Sequence, residues 1–253
     1  MSELASESST QRAHADLATP AAAGELAREA ERQLRAELDG QVQFDDYSRH
    51  LFARDASMYS IMPMGVAFPR HAADVAAAVR VANRLGVVVT ARGAGTSLAG
   101  QTIGPGIVLD CSRHLDRIIE LDPEGRTARV QVGVVQDDLN RAAAPFGLMF
   151  GPDTSTSNRA TIGGMFGNNS AGSGSVRYGM TIDHIRAADV VLADGSRARL
   201  EPVDDAERRR RATADTLEGR IYRQLPEIVE ANREAIATGF PPFWRRACGY
   251  RLD

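Results

Sequence analysis

Residues 91–104 read Ala-Arg-Gly-Ala-Gly-Thr-Ser-Leu-Ala-Gly-Gln-Thr-Ile-Gly and follow directly on the β-branched run Val87, Val88, Val89 and Thr90. A strand that empties into glycines at 93, 95 and 100 can turn its backbone sharply and leave N–H groups facing an anion. A second such stretch, Thr-Ile-Gly-Gly-Met-Phe-Gly-Asn-Asn-Ser-Ala-Gly-Ser-Gly, occupies residues 161–174. Two amide-rich loops in one chain suit a long ligand with two negative charges. A dinucleotide fits that description.

Two phosphate templates fail at single positions. The fingerprint G-x-G-x-x-G, started at Gly93, needs a glycine where Leu98 stands, and no convincing acidic ribose partner follows about 20 residues on. The P-loop pattern comes closer, since Gly95 to Thr102 reads G-x-x-x-x-G-Q-T. Gln101 there replaces the lysine, and a neutral amide cannot offset β- and γ-phosphate charge, which excludes nucleoside-triphosphate hydrolysis. All 30 Lys and Arg positions are arginine, so a Schiff-base lysine is excluded as well. The bland alternative is an ordinary glycine-rich surface loop.

The elements that must position these loops follow an α/β rhythm. Val66 to Pro69 reads as a short strand, and Ala72 to Leu85 as a helix with Val75, Val79, Val81 and Leu85 inward. Gly86 stops that helix, and Val87 to Ala91 reads as the next buried strand. Ile107 to Asp110 is a further strand. Ile118–Leu121 with Thr127–Val132, and Ile185–Leu192 with Arg197–Leu200, read as two hairpins separated by a helix from Val135 to Ala143. Upstream, Glu25 to Glu37 is an amphipathic helix, and Val42 to Tyr59 is a mixed tract with Phe44, Tyr47, Leu51 and Phe52 as apolar anchors. From Asp204 the chain turns charged and helical, and its arginine run 208–211 reads as a solvated helix face. The class is α+β.

Composition narrows the function classes. The 253 residues carry a net charge of −3 and only 6% aromatics, which leaves no basic footprint for nucleic acid. Cys111 and Cys248 have no Cys-x-x-Cys spacing and read as free thiols in a reducing compartment. No apolar run approaches the roughly 20 residues of a membrane span, and residues 1–22 lack a secretory hydrophobic segment. A cytoplasmic protein is expected, with peripheral docking on a membrane left open.

Several short motifs occur in a fixed order: residues 92–101, then Gly151-Pro-Asp153, Ala160-Thr-Ile-Gly-Gly164, Asn169-Ser-Ala-Gly172 and Arg177-Tyr-Gly179. Together they resemble the FAD-binding domain of the flavoprotein oxidoreductases related to vanillyl-alcohol oxidase and p-cresol methylhydroxylase (PCMH). The wording is most similar to the FAD-linked D-lactate, glycolate and D-2-hydroxyglutarate dehydrogenases, in the branch with a C-terminal iron–sulfur domain. The resemblance implies a PCMH-type fold of two α/β subdomains with mixed sheets flanked by helices. It divides the chain into a tail (1–22), a helical lead-in (23–62), the FAD-binding domain (63–203) and a helical segment (204–253) leading toward a substrate-binding cap.

The same resemblance assigns roles. Arg92, Gly93, Ala94, Gly95, Thr96, Ser97 and Gln101 would wrap the FAD pyrophosphate, mostly with backbone N–H groups. Thr161, Ile162, Gly163 and Gly164 would begin a short helix whose N-terminus favours negative charge beside the cofactor. Asn168, Ser170 and Gly172 would run along the ribityl chain and flavin ring, with Pro152 and Asp153 near the flavin and Tyr178 closing the wall. The residues themselves leave alternatives open. Arg92 reaches a phosphate or braces the loop through carbonyls; Asp153 is a flavin neighbour or a turn residue; Asn168 and Tyr178 touch the cofactor or stabilise their own loops.

Thr96 stands where some relatives carry a histidine bonded to the flavin, so FAD is expected to be dissociable. His50, His71, His114 and His184 have no metal-ligand spacing, and no metal ligand or catalytic acid or base is assigned. The implied activity is oxidation of a D-2-hydroxy acid by hydride transfer to FAD, with electrons passed to a quinone, a cytochrome or an iron–sulfur protein. Neither the cap's substrate residues nor a Cys-x-x-Cys-x-x-Cys cluster motif is in these 253 residues. The expectation is therefore the N-terminal part of a larger enzyme. A non-catalytic FAD-binding or subunit-interaction module completed by another chain, and an inactive truncation, are the alternatives.

Overall fold

The computed structural model describes residues 20–241, 243–245 and 252. The expected tail lies outside the described residues as far as residue 19, as do Cys248 and the Gly249-Tyr250 pair. Two compact units make up the chain, one ending at Leu115 and one beginning at Asp116.

The first unit contains α1 (Pro20–Glu37), β1 (Gln41–Gln43), α2 (Asp46–Phe52), β2 (Gly65–Phe68), α3 (Ala72–Leu85), β3 (Val89–Arg92) and β4 (Ile107–Asp110). Its sheet runs β1-β2-β4-β3, with β1 antiparallel to β2 and the other neighbours parallel. The chain thus leaves β2, crosses over through α3 to β3, and returns to fill the central place with β4. Central strands are covered on both faces, which is why β2 and β4 are buried at every position. On one face Leu34, Leu38 and Val42 pack with Ala77, Ala78 and Val81 of α3 and with Ala67, Ile107 and Leu109. On the other, Val66, Phe68 and Val108 pack with Phe52 of α2.

α3 begins and ends where the sequence predicts. His71 caps its start by accepting the Asp74 N–H at 3.2 Å, and Gly86 closes its end at φ 65°. One expectation changes. The strand after α3 is an edge strand, half-buried rather than buried, and Val88 before it is 49% exposed. An edge position leaves one flank without a neighbour, which a β-branched run cannot reveal. α1 and β1, within residues 20–43, contribute to the core and edge of this same sheet.

The second unit opens with the antiparallel pair β5 (Ile118–Asp122) and β6 (Thr127–Val130), followed by α4 (Gln136–Ala143). Short helices α5 (Ile162–Gly167) and α6 (Ser175–Tyr178) precede a second antiparallel pair, β7 (Ala188–Val191) and β8 (Arg197–Leu200). Helices α7 (Asp205–Ala212), α8 (Leu217–Ala231) and α9 (Arg233–Gly239) finish it. Val134, Leu139, Ala160, Ile162 and Met165 form its buried cluster. The α+β class holds. The mixed sheet, however, belongs to the first unit, while the second carries only two-stranded antiparallel ribbons among the described residues. No helix among the described residues is long and apolar enough to cross a membrane.

The arginine run on α7 departs from a uniform solvated face. Arg211 turns inward and donates to Glu207 (2.7 Å), Glu201 (3.2 Å), the Arg199 carbonyl (2.9 Å) and the Tyr222 hydroxyl (3.1 Å). Hydrogen bonds from Arg210 and then Arg211 hold the Glu207 carboxyl down to about 2. A lowered folded-state pKa stabilises the fold above the ordinary glutamate value, and that contribution is lost as pH falls through about 2. Arg211→Met is therefore expected to speed amide exchange along α7 and α8 at pH 7, with Arg209→Met leaving it unchanged. Equal exchange in the two variants contradicts this assignment.

Candidate cofactor site

The first glycine loop leaves the carboxyl end of β3, beside the carboxyl end of β4, with Arg92 paired in register to Asp110. Carboxyl ends of parallel strands are where open α/β sheets place ligands. Gly95 and Gly100 take the left-handed conformation, at φ +69° and +79°. Ala94, Gly95, Thr96, Ser97 and Leu98 donate their backbone N–H groups to no other atom among the described residues. Five consecutive unspent donors on a half-exposed loop form an anion-facing surface. Each hydrogen bond to a charged acceptor is worth roughly 1.5–3 kcal/mol.

The loop's side chains mostly serve the loop. Arg92 lies beneath Gly95, donates to the Thr102 carbonyl at 3.2 Å and sits over the Phe52 ring at 5.2 Å. Burial pulls its pKa below the ordinary guanidinium value, and the carboxylates of Asp110 and Asp55 pull it back. The Thr102 contact is the bracing one of its two readings, made through Nη1. Gln101 accepts from the Ser97 hydroxyl and, at 3.3 Å, from the Ala99 N–H. The Thr96 hydroxyl has no such partner among the described residues.

The second glycine stretch, in the second unit, has the same composition and the opposite character. At the start of α5 the Ile162 N–H goes to the Val134 carbonyl (2.8 Å), that of Gly163 to Val132 (2.8 Å) and that of Gly164 to the Thr161 hydroxyl (3.2 Å). The expected anion-favouring helix N-terminus is therefore spent on the protein itself. Gly163 serves packing, since a Cβ there would lie 2.5 Å from the Val132 Cβ.

Further along, Ser170 donates its N–H to Met165 and accepts from Thr181. Gly172 donates its N–H to the Ser175 hydroxyl, which reaches the Pro152 carbonyl. Asp153 sits at φ +50° and accepts the Ser173 hydroxyl at 2.6 Å, a contact suited to a turn. Tyr178 packs its Cβ against Gly151 and takes a His184 hydrogen bond on its carbonyl. The side-chain amide of Asn168, the Ser170 hydroxyl and the Tyr178 hydroxyl have no partner among the described residues. These remain the groups of this unit proposed to face a cofactor.

Sequence reasoning missed two sets of residues. Gln136 is fully buried, its Oε1 accepting the Thr154 hydroxyl at 2.7 Å, and thereby fixes the turn after Asp153. Asp39, His71 and Asp74 bring possible ligand atoms within 4.8 Å of one another, although their spacing hides it. Each is already occupied: His71 Nδ1 accepts the Asp74 N–H, so Nε2 carries the proton and donates to Asp39 at 3.0 Å. The Asp74 carboxylate accepts the N–H groups of Asp39 and Arg70. The set braces the start of α3.

Cys111 follows β4. Burial, and secondarily the charge of Asp110, pushes its thiol up to about 12. The thiolate is the reactive form, so almost none exists at neutral pH. In a Cys248→Ser chain, the remaining thiol is expected to react with a disulfide reagent at pH 7.5 only after unfolding in urea. Labelling of the folded chain at the rate of a free cysteine contradicts this.

Residues 63–201 match the family model described as FAD binding domain. D-2-hydroxyglutarate dehydrogenase of Pseudomonas putida is 43% identical over 219 residues, which is 84% of this chain and 22% of that protein. The enzyme of the same name from Pantoea ananatis is 43% identical over 201 residues, 78% of this chain and 20% of that protein. The chain thus spans about a fifth of the length of these relatives. Among solved structures, 6-hydroxy-D-nicotine oxidase from Arthrobacter nicotinovorans aligns with a TM-score of 0.57 and 30% identity. That alignment covers 65% of this chain and 36% of the oxidase.

Proposed function

We propose, for a chain that belongs to the FAD binding domain family, that it is the cofactor-holding part of a flavin-dependent dehydrogenase oxidising a D-2-hydroxy acid. The observation that carries this reading is the run of open amides from Ala94 to Leu98 at the carboxyl end of β3. They suit the diphosphate of FAD, and the Thr96 hydroxyl adds a further donor. With no lysine in the chain and Arg92 held below the loop, backbone amides do the binding.

When bound, FAD supplies a hydride acceptor for C2 of the hydroxy acid. This chain's residues hold and orient that cofactor, and none of them is assigned proton transfer. The names of the relatives support a D-2-hydroxyglutarate-type substrate. A quinone, a cytochrome or an iron–sulfur protein is the proposed electron acceptor, and noncovalent binding follows from Thr96 offering no flavin-bonding nucleophile. FAD titration, followed by flavin fluorescence, tests the reading. One flavin per chain, released intact by acid, is expected. A well-folded chain that takes up no flavin contradicts it.

A further inference from the structure

The matched family region begins at residue 63, yet the loop it contains is held from outside that region. Residues 54–60 form a small closed turn, joined at its ends by a bridge between Arg54 and Ser60. Three separate contacts run from this turn to the first glycine loop. The Ala56 N–H donates to the Gly95 carbonyl at 3.0 Å, and the Thr102 hydroxyl donates to Asp55 Oδ2 at 3.1 Å. The Tyr59 ring covers Gly100, where a Cβ would lie 3.1 Å from a ring carbon.

Asp55 is the hinge of this arrangement. Its other oxygen accepts the Ser57 N–H at 2.9 Å, which closes the turn. Burial alone would raise its pKa, but hydrogen bonds from Ser57 and Thr102 leave it below the ordinary aspartate value, so it is ionised at neutral pH. Thr102 in turn receives Arg92 on its carbonyl, and Arg92 supports the underside of Gly95. Carboxylate, hydroxyl and guanidinium thus form one chain of support under the open amides.

We infer that Asp55 is a positioning residue of the cofactor site, setting through Thr102 the loop shape in which Ala94 to Leu98 present their amides. The inference rests on the FAD reading of that loop. Its signature is energetic coupling, because Asp55 and Thr102 act through one hydrogen bond.

FAD dissociation constants of the whole chain, measured at a temperature where thermal melting shows each variant folded, test this. Asp55→Ala and Thr102→Val are each expected to weaken FAD by about tenfold. The double variant should be no weaker than the worse single one, and Asp55→Asn, which keeps one acceptor, should recover part of the loss. Unchanged affinity in the single variants, or losses that multiply in the double variant, overturns the inference while FAD binding itself stands. If Asp55→Ala does not fold, Thr102→Val and Asp55→Asn decide, and wild-type affinity in both overturns it. A folded wild-type chain that binds no FAD overturns the underlying reading and this inference with it.

Discussion

Gly95→Val is expected to abolish FAD uptake while the chain stays folded. Gly95 sits at φ +69°, where an L-residue costs roughly 1–2 kcal/mol and a β-branched one more. Space is lacking too: a Cβ would lie 2.4 Å from Arg92 Nη2 and 2.8 Å from Arg92 Cζ. The guanidinium cannot yield cheaply, because it is bonded to the Thr102 carbonyl and packed over Phe52. Relief must come from the loop backbone, and the amides on either side then lose their common aim. Losing two charged hydrogen bonds at roughly 1.5–3 kcal/mol each weakens binding about a hundredfold or more. The half-exposed loop contributes little to the core, so the melting temperature should move by only a few degrees. An affinity within threefold of wild type would count against the loop as the diphosphate cradle.

Gly172→Ala carries the largest expected cost in stability. A Cβ there would lie 1.9 Å from the Asp153 carbonyl oxygen and 2.4 Å from that of Pro152. Both obstacles are backbone, and the Ser173 N–H and hydroxyl bonds to Asp153 hold that backbone in place. Overpacking of this kind costs about 1–3 kcal/mol and occasionally more, and no flexible side chain is present here to absorb it. Gly167→Ala is the matched control. Nothing lies within 4 Å of its added Cβ, it falls at the end of α5, and alanine there should gain up to about 1 kcal/mol. Thermal or urea unfolding should therefore move in opposite directions for the two variants. Equal stability would mean that residues 151–153 are free to shift.

Elements whose signal is local were legible in the sequence. α3 keeps its predicted limits because its apolar spacing, a side-chain cap at His71 and a left-handed Gly86 agree. The β5–β6 and β7–β8 hairpins follow from their turn residues, and β4 from an uninterrupted apolar run. β1 and α2 were not resolved within the tract 42–59. β1 has only three residues, and α2 leaves Tyr47 and Leu51 exposed, which blurs its period.

The candidate site shows a sharper limit. Residues 93–100 and 161–174 look alike in glycine and hydroxyl content, yet the first keeps the amides of Ala94 to Leu98 open while the second spends those of Ile162 to Gly164. The difference lies in partners distant along the chain, such as Val132 and Val134 for the start of α5. Glycine content marks a backbone that can approach something closely; the fold decides whether that is a ligand or another strand. The support from Asp55 was hidden for the same reason, its partner Thr102 lying 47 residues away.

Amide hydrogen exchange of the whole chain with and without FAD tests the central assignment most directly. Exchange at Ala94 to Leu98 is expected to slow markedly on FAD addition, while Ile162, Gly163 and Gly164, already bonded within the protein, change little. Unaltered exchange at 94–98, with new protection confined to 162–164, would contradict it.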